Sequence, residues 1–442
     1  MMHPWFPKAK LGIFIHWGIY TVHGRGESWP IADATISSND YYSQREDFTV
    51  TDYDPEEWAK YIKATGARYT VITTKHHDGF CLFDTKHTDF NSVKAAPCKR
   101  DLIEPFAKAI RNEGIRLGLY FTNTDWADDD HLRVIFNKSQ AEIDELRKEK
   151  VNFFNLWGIN YPYTPEEKIE LDSCWDRFMT RYKGEITELL TKYQPDVLWT
   201  DVMIGREGFS WETKEVKEMI EKISPNTICN GRLVGYGDYE TPERYIPLLP
   251  LDGPWELCET FNNSWAYCPY DNNYKSIKQL ARTLCECISK GGNLLLNITP
   301  DKEGRIPEKT KENMLKFGAW VNKYSEAIFD TEKGIDPVYY LGGSTLSEDK
   351  KTLYLFQYDL DCEKIMLNGF YDKPKKVTAL KNNMELNFKV EGGADWINMP
   401  GCLWIDTPAE TKDEVCSVFK LEFEEPIRLL PMNLRVQSLG ES

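Results

Sequence analysis

Val197-Leu198-Trp199-Thr200-Asp201 is a short apolar run that stops on an aromatic, a hydroxyl and a carboxylate. It reads as a buried strand with Asp201 at its C-terminal tip. In a parallel α/β barrel that rim carries the chemistry, and a carboxylate held there can attack a sugar as a nucleophile. A strand-terminal Asp more often caps the next helix, so the assignment needs support from the other strand ends. Those ends carry His16, His76, His77, Tyr120, Trp126, Trp199, Arg232 and Glu256. Converging βα loops would bring them to one mouth. An aromatic wall with a few fixed hydrogen-bonding groups is what a monosaccharide pocket requires. A retaining glycosidase needs two carboxyl groups about 5–5.5 Å apart, one ionised and one able to hold a proton. Asp201 suits the first role. Glu240, Glu243, Glu256 and Glu259 are the downstream candidates for the second.

Neighbouring residues on a strand face opposite sides, so His76 and His77 are not expected to ligate one ion together. No HxH or HExxH spacing occurs. Hydrogen bonding to sugar hydroxyls is the expected role of these histidines, with loop pinning as the competing one. No metal and no cofactor is expected.

The elements that would position these residues follow one pattern: strand, polar tip, helix. The strand signals are Lys10–Trp17, Arg68–Thr74, Ile115–Phe121, Val197–Asp201, Asn226–Asn230, Trp255–Thr260 and Asn293–Ile298. Asp54-Pro55 and Asp101 read as helix starts. Helices are expected near 172–193, 212–223, 274–290 and 308–328, with a charged, helix-bearing insertion over 127–170. The polar stretches 19–50 and 238–243 read as loops. Such alternation predicts an α/β fold, a (β/α)8-like TIM barrel one strand short of regular closure. From Val338 onward short alternating runs replace helical periodicity, which predicts a C-terminal β-sandwich. The expected domains are 1–335 and 336–442.

Composition bounds the partners. A formal net charge of −16 over 442 residues argues against nucleic acid and against anionic membrane surfaces. No apolar run approaches a membrane span. Met1-Met2-His3-Pro4-Trp5 lacks the pattern of a signal peptide. The 11 scattered Cys read as reduced thiols, so a cytoplasmic location is expected. The 14 Trp and 23 Tyr suit either packing or carbohydrate.

The ordered motifs resemble the retaining α-L-fucosidases, glycoside hydrolase family 29. The resemblance runs from about Trp5 to Pro307. It is carried by Gly12 to Gly18, Tyr53-Asp54-Pro55 with Trp58, Ala64 to Phe80, Tyr193 to Asp196 with Leu198-Trp199 and Asp201, Ser264-Trp265 with Tyr267, and Gly291 to Asn297. It implies double displacement on a terminal α-L-fucosyl residue of a glycan, with Asp201 as nucleophile. It places His16, His76, His77, Tyr120, Trp199 and Arg232 on the fucose. It points to Glu243 as acid/base, with Glu256 as runner-up, and sets Trp255 and Trp265 against the sugar methyl or the aglycone. Family members often show Glu-Trp-Tyr in the first long loop. Here Glu27-Ser28-Trp29 stands there, with Glu27 and Trp29 expected in those roles around an inserted residue. Ala266 and Thr200 are further departures, and they bear on linkage and aglycone preference. Three alternatives stay open: an α-L-galactosidase on the same site, a non-catalytic fucose-binding protein, and a metal-dependent barrel hydrolase.

Overall fold

The apolar runs form one curled sheet: β1 (Leu11–Ile15), β2 (Tyr69–Lys75), β3 (Arg116–Thr122), β4 (Val197–Asp201), β5 (Ile228–Cys229), β6 (Glu256–Thr260) and β7 (Asn293–Ile298). Their order is β5-β4-β3-β2-β1-β7-β6. The pairs from β5 through β1 to β7 are parallel. Every residue of β1, β2, β4 and β7 is buried, as in a parallel sheet covered on both faces. The computed structural model describes residues 3–149, 151, 163–201 and 205–432. It divides into two compact units: Met1–Tyr245, Asp252–Lys275 and Leu294–Gly318 form the first; Ile246–Leu251, Ser276–Asn293 and Ala319–Ser442 form the second.

The missing eighth strand is the stretch that reads as a polar loop. Between β5 and β6, the Asp238 N–H donates to Cys229 O (2.7 Å) and the Glu240 N–H to Pro254 O (3.0 Å). The Glu256 N–H donates to Glu240 O (2.9 Å) and the Cys258 N–H to Pro242 O (3.1 Å). Residues 238–244 thus fill the eighth place through isolated parallel bridges. Pro242 has no N–H to give, so a continuous ladder cannot form there.

The helices start where side chains can cap them. Asp54 accepts from the N–H groups of Glu56 and Glu57, and Asp101 from those of Ile103 and Glu104. The helix Pro165–Tyr193 begins earlier than its apolar spacing suggests, because Thr164 and Glu167 form a capping box ahead of Pro165. The insertion carries helices Asp129–Phe136 and Gln140–Lys148; 150 and 152–162 of it lie outside the described residues. The 19–50 stretch holds short helical turns at Trp29–Ala32 and Ser38–Ser43. No helix among the described residues is long and apolar enough to cross a membrane.

The second unit holds two antiparallel sheets. One comprises β8 (Glu332–Lys333), β9 (Gly343–Leu346), β10 (Thr352–Gln357), β12 (Lys376–Ala379), β13 (Met384–Glu385) and β16 (Ser417–Glu422). The other comprises β11 (Lys364–Leu367), β14 (Phe388–Glu391) and β15 (Cys402–Asp406). Leu353, Leu355, Phe419 and Leu421 from the first sheet meet Ile365, Leu367, Leu403 and Ile405 from the second in one apolar core. The helix Ile277–Ser289 joins this unit, its Ser289 Oγ accepting from the Ser344 N–H (2.8 Å).

Candidate active site

Strand alternation decides what faces the barrel axis. On β4, Val197, Trp199 and Asp201 share one side; on β1 and the residue just past it, Phe14 and His16; on β3, Tyr120 and Thr122. Phe14, Tyr69, Val71, Tyr120, Val197, Trp199, Cys258 and Leu295 pack together inside. Space for the large rings comes from small residues. A Cβ on Gly12 would sit 2.5 Å from the Tyr69 ring, and one on Gly118 would sit 2.7 Å from Val71.

Asp201 crowns this interior. Its Oδ2 accepts from the Tyr120 hydroxyl (2.7 Å) and its Oδ1 from Arg232 Nη1 (2.5 Å). His77 Nε2 lies 3.6 Å from Oδ2. Burial alone would raise the Asp201 pKa, but Arg232, His77 and the two hydrogen bonds outweigh it and hold the carboxyl below its usual value. Asp201 is therefore ionised at neutral pH, as a nucleophile must be. Arg232 also lies over the Trp199 ring (4.6 Å). Burial, and then the Asp201 carboxylate beside it, push the Tyr120 phenol well above its ordinary pKa, so it stays a donor.

Three histidines line the same hollow, and each is pinned by its Nδ1. His16 bonds to Asn297 Oδ1 (2.7 Å), His76 to Ser28 Oγ (2.5 Å) and His77 to Thr122 Oγ1 (2.6 Å). Burial drives His16 and His77 down to about 4 and His76 well below its usual value. All three are neutral at pH 7; His16 donates from Nδ1 to the Asn297 carbonyl oxygen, which leaves its Nε2 as an acceptor. The expectation that His76 and His77 face opposite ways is corrected here. β2 ends at Lys75, after a register shift between Thr73 and Lys75, so strict alternation no longer governs the pair. His76, His77 and Asp201 each offer an atom within 4.8 Å of the others, an arrangement that could also hold a cation.

The carboxyl groups sort by depth. Glu243, on the eighth stave, reaches the hollow, and its Oε2 accepts from Arg232 Nη2 (2.7 Å). One guanidinium thus bridges Asp201 and Glu243. Glu27 also lines the hollow, and burial pushes its carboxyl up to about 7. Glu256 does not line it. Cys258, two residues later on β6, takes the position at the hollow, and Glu256 lies one layer below. There it accepts from Tyr69 Oη (2.6 Å) and Trp199 Nε1 (2.9 Å). Trp255 is buried and also outside the lining, because alternation turns it away from Glu256 and Cys258. The hollow has a volume of about 140 Å³, well under the ~300–1,000 Å³ of drug-sized sites, and its walls are the remaining predicted residues: His16, Trp29, His76, His77, Tyr120, Trp199, Arg232 and Trp265.

A profile of the family described as Alpha-L-fucosidase matches residues 1–326. The chain belongs to the α-L-fucosidase family. Among similar proteins, the plasma α-L-fucosidase of Rattus norvegicus is 30% identical over 356 residues, covering 74% of this chain and 70% of that one. The solved α-L-fucosidase isoenzyme 1 of Paenibacillus thiaminolyticus superposes with a TM-score of 0.81 at 31% identity, over 95% of this chain and 98% of its own. The Thermotoga maritima α-fucosidase, solved in complex with fucose, gives 0.70 at 29% identity, over 94% and 96%. The barrel followed by a sandwich, and the family read from the ordered motifs, are both borne out.

Within this α-L-fucosidase fold, sequence reasoning missed Phe14, Cys258 and Asn297 as parts of the site. Phe14 stands two before His16 and Cys258 two after Glu256, so the period of two was the available signal. Asn297 orients His16 from β7 across the sheet, and no local pattern announces that. Ser28, the inserted residue, also has a use: it holds His76 and accepts from the Asp78 N–H (3.0 Å).

Glu256 makes one prediction here. Burial raises its pKa to about 7, against about 4.3 in an unfolded chain. Between those values the unfolded chain has lost the proton and the folded chain keeps it, so stability falls as pH rises from about 4.3 to about 7. The scale is about 4 kcal/mol. Glu256→Gln is expected to remove this part of the decline, read from thermal midpoints of both proteins across pH 4.5–7.5. An unchanged slope would mean that Glu256 is already ionised when folded.

Proposed function

We infer that this chain is a retaining exo-glycosidase that hydrolyses terminal α-L-fucosyl residues from glycans by double displacement. The observation that carries the reading is Asp201: ionised, buried at the barrel rim, and fixed by Tyr120, His77 and Arg232 at the edge of a hollow for one sugar. In the first step Asp201 attacks the anomeric carbon while Glu243 protonates the leaving oxygen. In the second, Glu243 takes a proton from water, which attacks the fucosyl–Asp201 ester and releases fucose with its configuration retained. The neutral His16, His76 and His77 serve the sugar hydroxyls, and Trp29 and Trp265 supply apolar walls. Following the anomers by NMR during hydrolysis of an aryl α-L-fucoside tests this directly. α-L-fucose is the expected first product, and β-L-fucose would sink the mechanism.

Substrate preference is tested by pairing that fucoside with the aryl α-L-galactoside. The expected outcome is faster fucoside cleavage by about 10–100-fold, because an apolar pocket rejects an added hydroxyl only modestly. Dialysis against EDTA is expected to leave turnover unchanged. Loss of activity restored by a divalent cation would instead assign His76, His77 and Asp201 to a metal.

One observation favours a second assignment of the proton donor. Glu27 lines the same hollow, and its carboxyl, raised to about 7, is partly protonated at neutral pH. A group so poised suits a general acid.

A further inference from the structure

The second unit contains an opening larger than the catalytic hollow. Its volume is about 640 Å³, within the ~300–1,000 Å³ of small-ligand sites. Tyr339, Tyr358 and Trp404 line it together with Arg282, Asp359 and Met366. Trp404 stands out by its place on β15. Its neighbours Leu403 and Ile405 enter the sandwich core, so alternation turns Trp404 to the outer face. The register sets it opposite Met366 of β11, which is 38% exposed. The outer row of an antiparallel sheet is normally polar, and a Trp–Met pair there contributes nothing to the core.

The other residues supply what an apolar patch lacks. Arg282 is exposed, and its guanidinium lies 4.8 Å from the centre of the Tyr358 ring. The Tyr358 hydroxyl is buried with no hydrogen-bond partner among the described residues. Tyr339 spends its hydroxyl on Leu430 O (2.6 Å), which fixes the ring and leaves its face to the cleft.

We propose that this cleft is a second carbohydrate-binding site, distinct from the catalytic hollow, that takes pyranose rings of an oligosaccharide. Sugar C–H faces pack on Trp404 and Tyr339, Arg282 donates to hydroxyl or carboxylate oxygens, and Asp359 accepts from hydroxyl O–H groups. An apolar peptide would leave those two charges desolvated and unpaired. Nucleic acid is opposed by the net charge of −16. The purpose of such a site, holding the enzyme on a glycan, rests on the proposed fucoside hydrolysis. Binding itself does not, and the two are measured separately.

The test uses the full chain carrying Asp201→Asn, with L-fucose added to saturate the catalytic hollow. It is applied to immobilised oligosaccharides of three or more sugars, one series neutral and one bearing carboxylates. Retention of either series is expected despite the fucose. Trp404→Ala and Arg282→Met, each added to Asp201→Asn, are expected to weaken it about tenfold or more, the scale of losing an aromatic or Arg anchor. Retention confined to the carboxylate series and lost in Arg282→Met would assign Arg282 to the acid group. Made singly, without Asp201→Asn, both variants are expected to keep the parent rate on an aryl α-L-fucoside, which checks the fold. Should Trp404→Ala fail to fold, Arg282→Met, a change at an exposed head group, carries the test. Three results would overturn the proposal: no retention once fucose is present, retention equal in both variants, or a drop in native mass on Trp404→Ala, which would make the cleft an interface between copies.

Discussion

Asp201→Ala is expected to lower kcat/KM on an aryl α-L-fucoside by about 10⁴-fold, the scale on which single catalytic carboxylates act. The size follows from what no other group can replace. Tyr120 and Arg232 converge on this carboxylate (2.7 and 2.5 Å), so removing it leaves a cation and a phenol aimed at an empty place. Binding of fucose should survive better than turnover, because the histidines and tryptophans of the wall remain. Azide, small enough to enter the vacated space, should restore part of the rate and yield a fucosyl azide. A variant that keeps even a tenth of the parental rate would remove Asp201 from the reaction. The acid limb of the parental pH–rate profile carries the same information. Arg232 and His77 overcome burial to lower the Asp201 pKa, so this carboxylate stays charged below the usual aspartate value near 3.9.

The second large effect concerns proton donation. Glu243→Ala should cost about 10²–10⁴-fold on substrates with poor leaving groups, the range of general acid catalysis. Activated aryl fucosides, which leave without help, should suffer far less. Glu27→Gln and Glu256→Gln belong in the same experiment. If Glu27→Gln alone shows the leaving-group dependence and flattens an alkaline limb near pH 7, the donor is Glu27. Glu256→Gln is expected to lower rates for all leaving groups alike. Glu256 holds the Trp199 indole from below (2.9 Å) and acts on the sugar only through that ring, which makes it a positioning residue. A steep leaving-group dependence in Glu256→Gln would reverse this placement.

Much of this molecule is written in local patterns. The run Val197–Asp201 is a strand over the residues its composition indicates, and Asp54 and Asp101 cap helices as their spacing to the next N–H groups requires. Apolar runs between polar tips prescribe a barrel because each buried strand needs cover on both faces. Those rules act over a few residues, so one chain read in order reveals them. They also place Asp201 at the rim, and with it the expected chemistry.

What lay beyond the sequence is everything that depends on relative depth and on partners far along the chain. Glu243 and Glu256 look equivalent in order; the bridge that sets Glu243 level with Cys258, two residues past Glu256, puts one in the hollow and the other beneath it. The eighth stave escaped notice because its bonds go to Cys229, Pro254 and Cys258 and leave no period of its own. Both histidines of the His76-His77 pair face the sugar site because β2 shifts register just before them. Secondary structure and the position of Asp201 at its strand tip follow from short-range sterics and hydrogen bonding, which the sequence determines alone. The protonation of Glu27, the neutrality of the histidines and the charge on Asp201 follow from burial and from cations brought across more than thirty residues of chain, and only the folded barrel decides them.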